Sequence, residues 1–213
     1  MRYVGWRKKM VEEHIVARGI DDPRIIAAMS TVPRHYFLDS ALADQAYGDH
    51  SLPIGEGQTM TQPYVVAFLL SQLNLQGHEK VLEIGMGSGY LTALLSRLAE
   101  RVFTVEKYRS LAIHARQRLE QQNCHNVVVK IFDGSYGWSN EAPFDIIVVS
   151  AAAVSPPPPL LEQLMPGGIL LLPLIEEEGQ YLYRITKDFQ GLCQQDKLIP
   201  CNFVKLVGKY GTG

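Results

Sequence analysis

"VLEIGMGSGY", Val81–Tyr90, decides how the rest of the chain is read. Val81, Leu82 and Ile84 have the character of a short buried strand. Glycines follow at 85, 87 and 89, and "YLTALLSRLAE" continues with a helical pattern. Glycine lets a backbone turn tightly and approach a ligand closely. Downstream, "RVFTVE" reads as a strand. "SLAIHARQRLEQQ" reads as a helix with Leu111, Ala115 and Leu119 on one face. "NVVVKIFD" and "FDIIVVSAA" are strands, "PLLEQLM" a helix and "GGILLLPL" a strand. Strands alternating with helices predict an α/β fold with a parallel sheet covered on both faces. The strands are rich in Val, Ile and Leu without strict alternation, as strands buried on both faces should be.

The flanks differ from this middle. "KKMVEEHIVARGI" reads as a helix ending at Gly19, and "DDPRIIAAMSTV" as a second, capped by Asp22 with Pro23 in its first turn. "DSALADQAYGD" is a shorter helical candidate, "SLPIGEGQTMTQP" a loop, and "PYVVAFLLSQLNL" a buried helix. Beyond residue 175, "QYLYRITK" and the stretch ending "NFVKLVG" read as strands, with "IEEEGQ" and "DFQG" as hairpin turns. These predict an antiparallel end to the sheet. "SPPPPL", Ser155–Leu160, is a stiff extended loop before a helix.

Composition narrows the classes of function. The formal net charge of −2 over 213 residues provides no basic field for nucleic acid or an anionic membrane. Cys124, Cys193 and Cys201 are odd in number, widely spaced and without a CxxC, which predicts reduced thiols in the cytoplasm and no cysteine metal site. No apolar run reaches the length of a membrane-spanning helix.

The spacing around the glycines narrows the ligand. Glu106 ends the next strand nineteen residues after Gly87, the place from which an acid meets ribose hydroxyls. Dinucleotide enzymes carry their third glycine one residue later, where the helix N-terminus receives a pyrophosphate. Here the third glycine comes early, at 89, and Glu83 lies where a pyrophosphate would be repelled. No GK[ST] follows, which excludes a phosphate-binding P-loop. A carboxylate at Glu83 suits a ligand with a positive group and no phosphate, and S-adenosylmethionine fits. Asp133, before Gly134 at the end of the third strand, is a candidate acceptor for an adenine amino group. As a turn-forming Asp-Gly it has an equal local explanation.

"MSTVPRHYF", "AYGDHSLPIGEGQTMTQP", "VLEIGMGSGY", "DGSYG", "APFDIIVVSAAA" and "LMPGGILLLPL" occur in this order. Together they resemble the protein-L-isoaspartate (D-aspartate) O-methyltransferase family, and "LPIGEGQTMTQP" is the specific signal. The resemblance implies a three-layer, Rossmann-like methyltransferase fold with a mostly parallel seven-stranded sheet, an antiparallel C-terminal end and an N-terminal helical extension. It implies one domain, with residues 1–75 as extension and substrate loop, 76–175 as cofactor-binding core and 176–213 as closing strands. It further implies methyl transfer to the α-carboxylate of isoaspartyl residues in damaged proteins and peptides. Glu83, Gly85, Met86, Gly87, Ser88, Gly89, Glu106, Lys107, Asp133 and Gly134 would hold S-adenosylmethionine. Ile54, Gln58, Thr59, Thr61, Val204 and Leu206 would meet substrate, with Thr61 and Thr59 as catalytic hydroxyls. No metal is implied, and a monomer is compatible with this reading. Thr61 stands where the family most often has serine, and Lys205 where it usually has proline.

A carboxylate acceptor is already ionised at neutral pH, so it needs orientation and partial desolvation rather than a strong base. The sequence agrees, since no His/Asp pair stands near these residues and His50 reads as a surface side chain. Thr61 or Gln62 could equally cap the helix that begins at Pro63. Two other readings stay open: a methyltransferase of the same fold acting on a small-molecule carboxylate or another acceptor, or a cofactor-binding protein without turnover. A nucleic-acid amino-methyltransferase is disfavoured, because "SPPPPL" lacks the aromatic such enzymes use to stack a flipped base.

Overall fold

The computed structural model describes residues 2–212. The N-terminal extension begins with α1 (Arg2–Met10), which continues as a π-turn (Val11–Ile15) and a 3-10 turn (Val16–Arg18). The expected single helix therefore starts earlier and unwinds toward Gly19, whose φ of 89° closes it. α2 (Pro23–Thr31) starts as predicted: the Asp22 carboxylate accepts from the Arg24 amide at 2.8 Å. The third helical candidate is instead a 3-10 segment, Ser40–Gln45.

"SLPIGEGQTMTQP" is not a featureless loop. β1 (Leu52–Gly55) and β2 (Gln58–Met60) form a two-stranded antiparallel hairpin, with Leu52 opposite Met60 and Pro53 opposite Thr59. Its tip holds Gly55, Glu56 and Gly57 at φ of 91°, 52° and 68°, so the two glycines carry most of a left-handed turn. α3 (Pro63–Gln72) follows with proline in its first turn. Neither Thr61 nor Gln62 caps it with a side chain. The Asp49 carboxylate does, accepting from the Tyr64 amide at 3.0 Å.

The main sheet is built from β3 (Lys80–Ile84), β4 (Arg101–Glu106), β5 (Val127–Ile131), β6 (Phe144–Val149), β7 (Leu164–Glu176), β8 (Gly179–Lys187) and β9 (Cys193–Cys201). α4 (Tyr90–Leu98), α5 (Arg109–Gln121) and α6 (Pro158–Gln163) connect the parallel strands. The strand order is β5-β4-β3-β6-β7-β8-β9, parallel through β7 and antiparallel thereafter. This is the expected seven-stranded architecture, with both hairpin turns where the sequence puts them. "NFVKLVG" is the exception: β9 ends at Cys201, and the segment after it forms a single parallel bridge, Lys205 to Ala152, beyond the end of β6.

Strand periodicity explains why the sheet is apolar on both sides. Val81, Val102, Ile146 and Val148 face a core shared with the N-terminal extension, α3 and α4, including Met10, Ile15, Met29, Phe37 and Leu69. Leu82, Ile84, Phe103, Val105, Ile147 and Val149 face the opposite core, with Leu160 and Leu172. β3 is followed outward by β4 and β5, and the chain then returns to lay β6 on β3's other side. That reversal opens a crevice at the carboxyl ends of β3 and β6, the place where open α/β sheets bind ligands.

Candidate active site

A crevice of about 920 Å3, counting its open mouth, lies at this reversal point. Every parallel strand next to it contributes its C-terminal end: Ile84, Gly85, Met86, Gly87 and Ser88 after β3, Val105 to Tyr108 at β4, Gly134 after β5, Ser150 and Ala151 after β6. The hairpin side supplies Ile54, Gln58, Thr59, Met60 and Thr61, and the C-terminal segment supplies residues 203–207. The crevice is thus a strand-end floor roofed by two segments far apart in sequence.

The glycine loop has the geometry its composition predicts. Gly85, Gly87 and Gly89 have φ of 88°, 54° and 88°, a run of left-handed residues that only glycine adopts without strain. Gly134 is required for a different reason. A Cβ there would sit 2.5 Å from Ile84 Cγ2, so the β5 loop can pass over β3 only without a side chain. Gly89 does not line the crevice; it begins α4 against Ala115.

The three acidic residues part company. Glu106 lines the crevice and is buried, with Oε2 accepting from the Gly87 amide at 2.8 Å and Oε1 from the Tyr108 amide at 2.9 Å. Each oxygen keeps a lone pair for a ligand hydroxyl, and the same carboxylate ties the glycine loop to the end of β4.

Glu83 does not line the crevice. Its side chain points into the core, where Oε2 accepts from Thr92 Oγ1 at 2.6 Å and Thr104 Oγ1 at 2.7 Å. Direct contact with a positive ligand group, expected from the motif, is not what the geometry provides. Burial pushes its carboxyl up to about 7 from an ordinary 4.5, against the two threonine hydroxyls and helped by the Glu106 charge.

Asp133 is also turned away. Its oxygens accept from the Ser135 amide and hydroxyl and from the Lys209 amide at 2.9 Å, so it fastens the C-terminal segment rather than facing an adenine. Burial raises its carboxyl, but these donors outweigh that and hold it below the usual carboxylate value.

The Glu83 shift has a measurable consequence. The folded state holds this proton more tightly than the unfolded chain does, so its contribution to stability is present at low pH and is lost as pH rises from about 4.5 to about 7. Glu83→Gln keeps a neutral acceptor for both threonines. It is expected to match wild type at pH 4.5 and to exceed it by roughly 2–3 kcal/mol at pH 8. Urea denaturation at the two pH values checks this; a difference independent of pH would reject it.

On the substrate side, Ile54, Gln58, Thr59, Thr61, Val204 and Leu206 all line the crevice. Thr61 is half-buried, and its hydroxyl makes no hydrogen bond within the described residues, while its carbonyl accepts from Arg34 Nη2 at 2.8 Å. Lys205 is exposed at the rim, without an acidic partner among the described residues. Lys107 donates to the Val207 carbonyl at 3.3 Å. Among the described residues Glu106 is the one carboxylate on the crevice wall and no histidine lines it; His50 is exposed elsewhere. Among the described residues no group of His, Cys, Asp and Glu could hold a metal, and no helix is long and apolar enough to cross a membrane.

Sequence reasoning missed Met60, Tyr90, Tyr108, Ser150, Ala151 and Phe203 on the crevice wall. Ser150 and Ala151 had a usable signal, since they immediately follow a predicted parallel strand at the reversal point.

The family model described as protein-L-isoaspartate(D-aspartate) O-methyltransferase matches residues 6–211. The chain belongs to this family. A Geobacter metallireducens protein-L-isoaspartate O-methyltransferase is 53% identical over 97% of this chain and 96% of that protein. One from Syntrophus aciditrophicus is 50% identical over 99% and 97%. A solved protein-L-isoaspartate O-methyltransferase structure superposes with a TM-score of 0.87 at 27% identity, covering 96% of this chain and 67% of that one. In this member of the family the hairpin bearing Thr59 and Thr61 faces the glycine loop across the crevice. Gly87 and Ile54 approach so closely that a Cβ on Gly87 would lie 3.2 Å from Ile54 Cδ1.

Proposed function

We propose that this chain transfers the methyl group of S-adenosylmethionine to the α-carboxylate of L-isoaspartyl residues in damaged proteins and peptides, the first step of their repair. One observation carries the reading: the glycine loop with Glu106 and the hairpin with Thr59 and Thr61 line one crevice, with no histidine among its lining residues. Membership in the family supports it.

The residues fit the cofactor. Glu106 offers buried acceptors for ribose hydroxyls, and Gly85, Gly87 and Gly134 leave room for close backbone approach. Met86, Ser88 and Lys107 complete that wall. When bound, S-adenosylmethionine supplies an electrophilic sulfonium methyl. Thr61 and Thr59 donate hydrogen bonds to the acceptor carboxylate and fix its direction without removing a proton, since an ionised carboxylate has none to give. Ile54, Phe203, Val204 and Leu206 strip water from it, which strengthens those bonds. The carboxylate at the N-terminus of α3 is the chain's own Asp49, so orientation of the substrate falls to the hydroxyls rather than to that helix end. Lys107 and Lys205 against the single Glu106 favour an anion at the mouth.

In this reading residues 1–75 present the substrate, 76–175 hold the cofactor, and 176–213 close the crevice as part of one domain. Three free thiols suit a reducing cytoplasm. The test is methyl transfer to an isoaspartyl peptide beside its normal aspartyl twin. Transfer to the isoaspartyl peptide alone is expected. Equal transfer to both, or cofactor binding without transfer to either, would sink the proposal.

A further inference from the structure

Arg34 is the largest polar side chain wholly enclosed in this protein, at 0% exposure. It opens the 3-10 turn Arg34–Phe37 after Pro33. Its Nε donates to the Ala46 carbonyl at 2.8 Å and its Nη2 to the Thr61 carbonyl at 2.8 Å, while Nη1 has no partner among the described residues. The guanidinium carbon lies 5.0 Å from the centre of the Tyr90 ring, at the start of α4 directly after the glycine loop. Among the described residues no carboxylate makes an ion pair or hydrogen bond with it: Asp49, near enough to act on its charge, is committed to the Tyr64 amide and to Arg18.

A cation enclosed without a directly paired carboxylate is costly, and apolar replacements at such places often leave stability unchanged or improve it. Burial lowers the Arg34 guanidinium to about 10, against the nearby Tyr90, Asp49 and Tyr47, so it remains charged at neutral pH. Its two bonds have different destinations. One holds the extension at Ala46, and the other holds the backbone of Thr61, which lines the crevice. Planar, forked donors can serve both carbonyls at once, whereas a lysine ammonium offers one compact charge.

We infer that Arg34 is a positioning residue: it locks the exit of the hairpin so that Thr61 presents its hydroxyl to the acceptor carboxylate, and it places a buried positive charge beneath that anion. The inference rests on the methyl-transfer reading, but it concerns the hairpin and not the cofactor cradle. Arg34→Lys keeps the charge and loses the fork. Arg34→Met keeps the bulk and loses both.

The experiment uses the full chain. Kinetics with the isoaspartyl peptide, calorimetric binding of S-adenosylmethionine, and amide hydrogen exchange are measured for wild type and both variants. Exchange at residues 58–62 is expected to accelerate about 10-fold or more in both variants, with residues 85–89 unchanged. Peptide KM is expected to rise about 10-fold for Arg34→Lys and further for Arg34→Met, with cofactor Kd within about 3-fold of wild type. Three outcomes overturn the inference: unchanged exchange at 58–62, equal losses of peptide and cofactor binding, or failure of both variants to fold. Wild type inactive on the peptide, with the exchange pattern as expected, would refute the substrate reading while leaving the anchoring of the hairpin by Arg34 in place.

Discussion

Glu106→Ala is expected to lower the affinity for S-adenosylmethionine by about 100-fold, because it removes two hydrogen bonds that a charged acceptor would make to ribose hydroxyls, worth about 1.5 kcal/mol or more each. The loss exceeds that of a simple ligand contact. Glu106 also accepts from the Gly87 and Tyr108 amides, so the alanine leaves two backbone donors without partners and loosens the left-handed run at 85–89. Glu106→Gln retains an acceptor for one of those amides and should lose roughly 10-fold, a single charge-assisted bond's worth. Calorimetric titration of both variants reads the effect directly. An unchanged Kd for Glu106→Ala would remove this residue from the cofactor site.

Thr61→Val is expected to lower kcat/KM for an isoaspartyl peptide by about 10- to 100-fold, the cost of one hydrogen bond to a charged group, with cofactor affinity unchanged. Valine keeps the volume and branching of threonine and deletes the hydroxyl alone. The Arg34 bond is made to the backbone carbonyl of residue 61, so the anchor survives the substitution. Thr61→Ser keeps the hydroxyl and frees χ1 from the branched methyl, and is expected to preserve or raise the rate. Equal rates for wild type and Thr61→Val would take Thr61 out of the reaction.

The two substitutions probe opposite walls of one crevice, and the walls were not equally legible beforehand. The cofactor wall follows from short-range pattern. A strand, three glycines and an acid at the end of the next strand lie within twenty-six residues, Val81 to Glu106, and the parallel register Ile84 opposite Val105 brings the two strand ends together. The hairpin wall was legible only by likeness to a family, since "SLPIGEGQTMTQP" has no intrinsic strand pattern. What makes it a hairpin is the left-handed turn at Gly55, Glu56 and Gly57, with Leu52 and Met60 buried beneath.

Alternating strand and helix periods determined by themselves that this chain forms a mostly parallel sheet with an antiparallel end. The early third glycine with Glu106 determined the class of ligand. These are local properties, set by side-chain period and by the steric freedom of glycine, and they survive without knowledge of the rest of the chain. Only the tertiary structure decided which carboxylate faces the crevice. Glu83 is claimed by Thr92 and Thr104, Asp133 by Ser135 and Lys209, and of the three only Glu106 lines the crevice. It also decided that Asp49 caps α3 and that Arg34 holds Thr61 across 27 positions of chain. The physical reason is common to all of them. A buried polar group must find partners, those partners arrive from distant segments, and the direction in which a side chain is spent is fixed only once the segments meet.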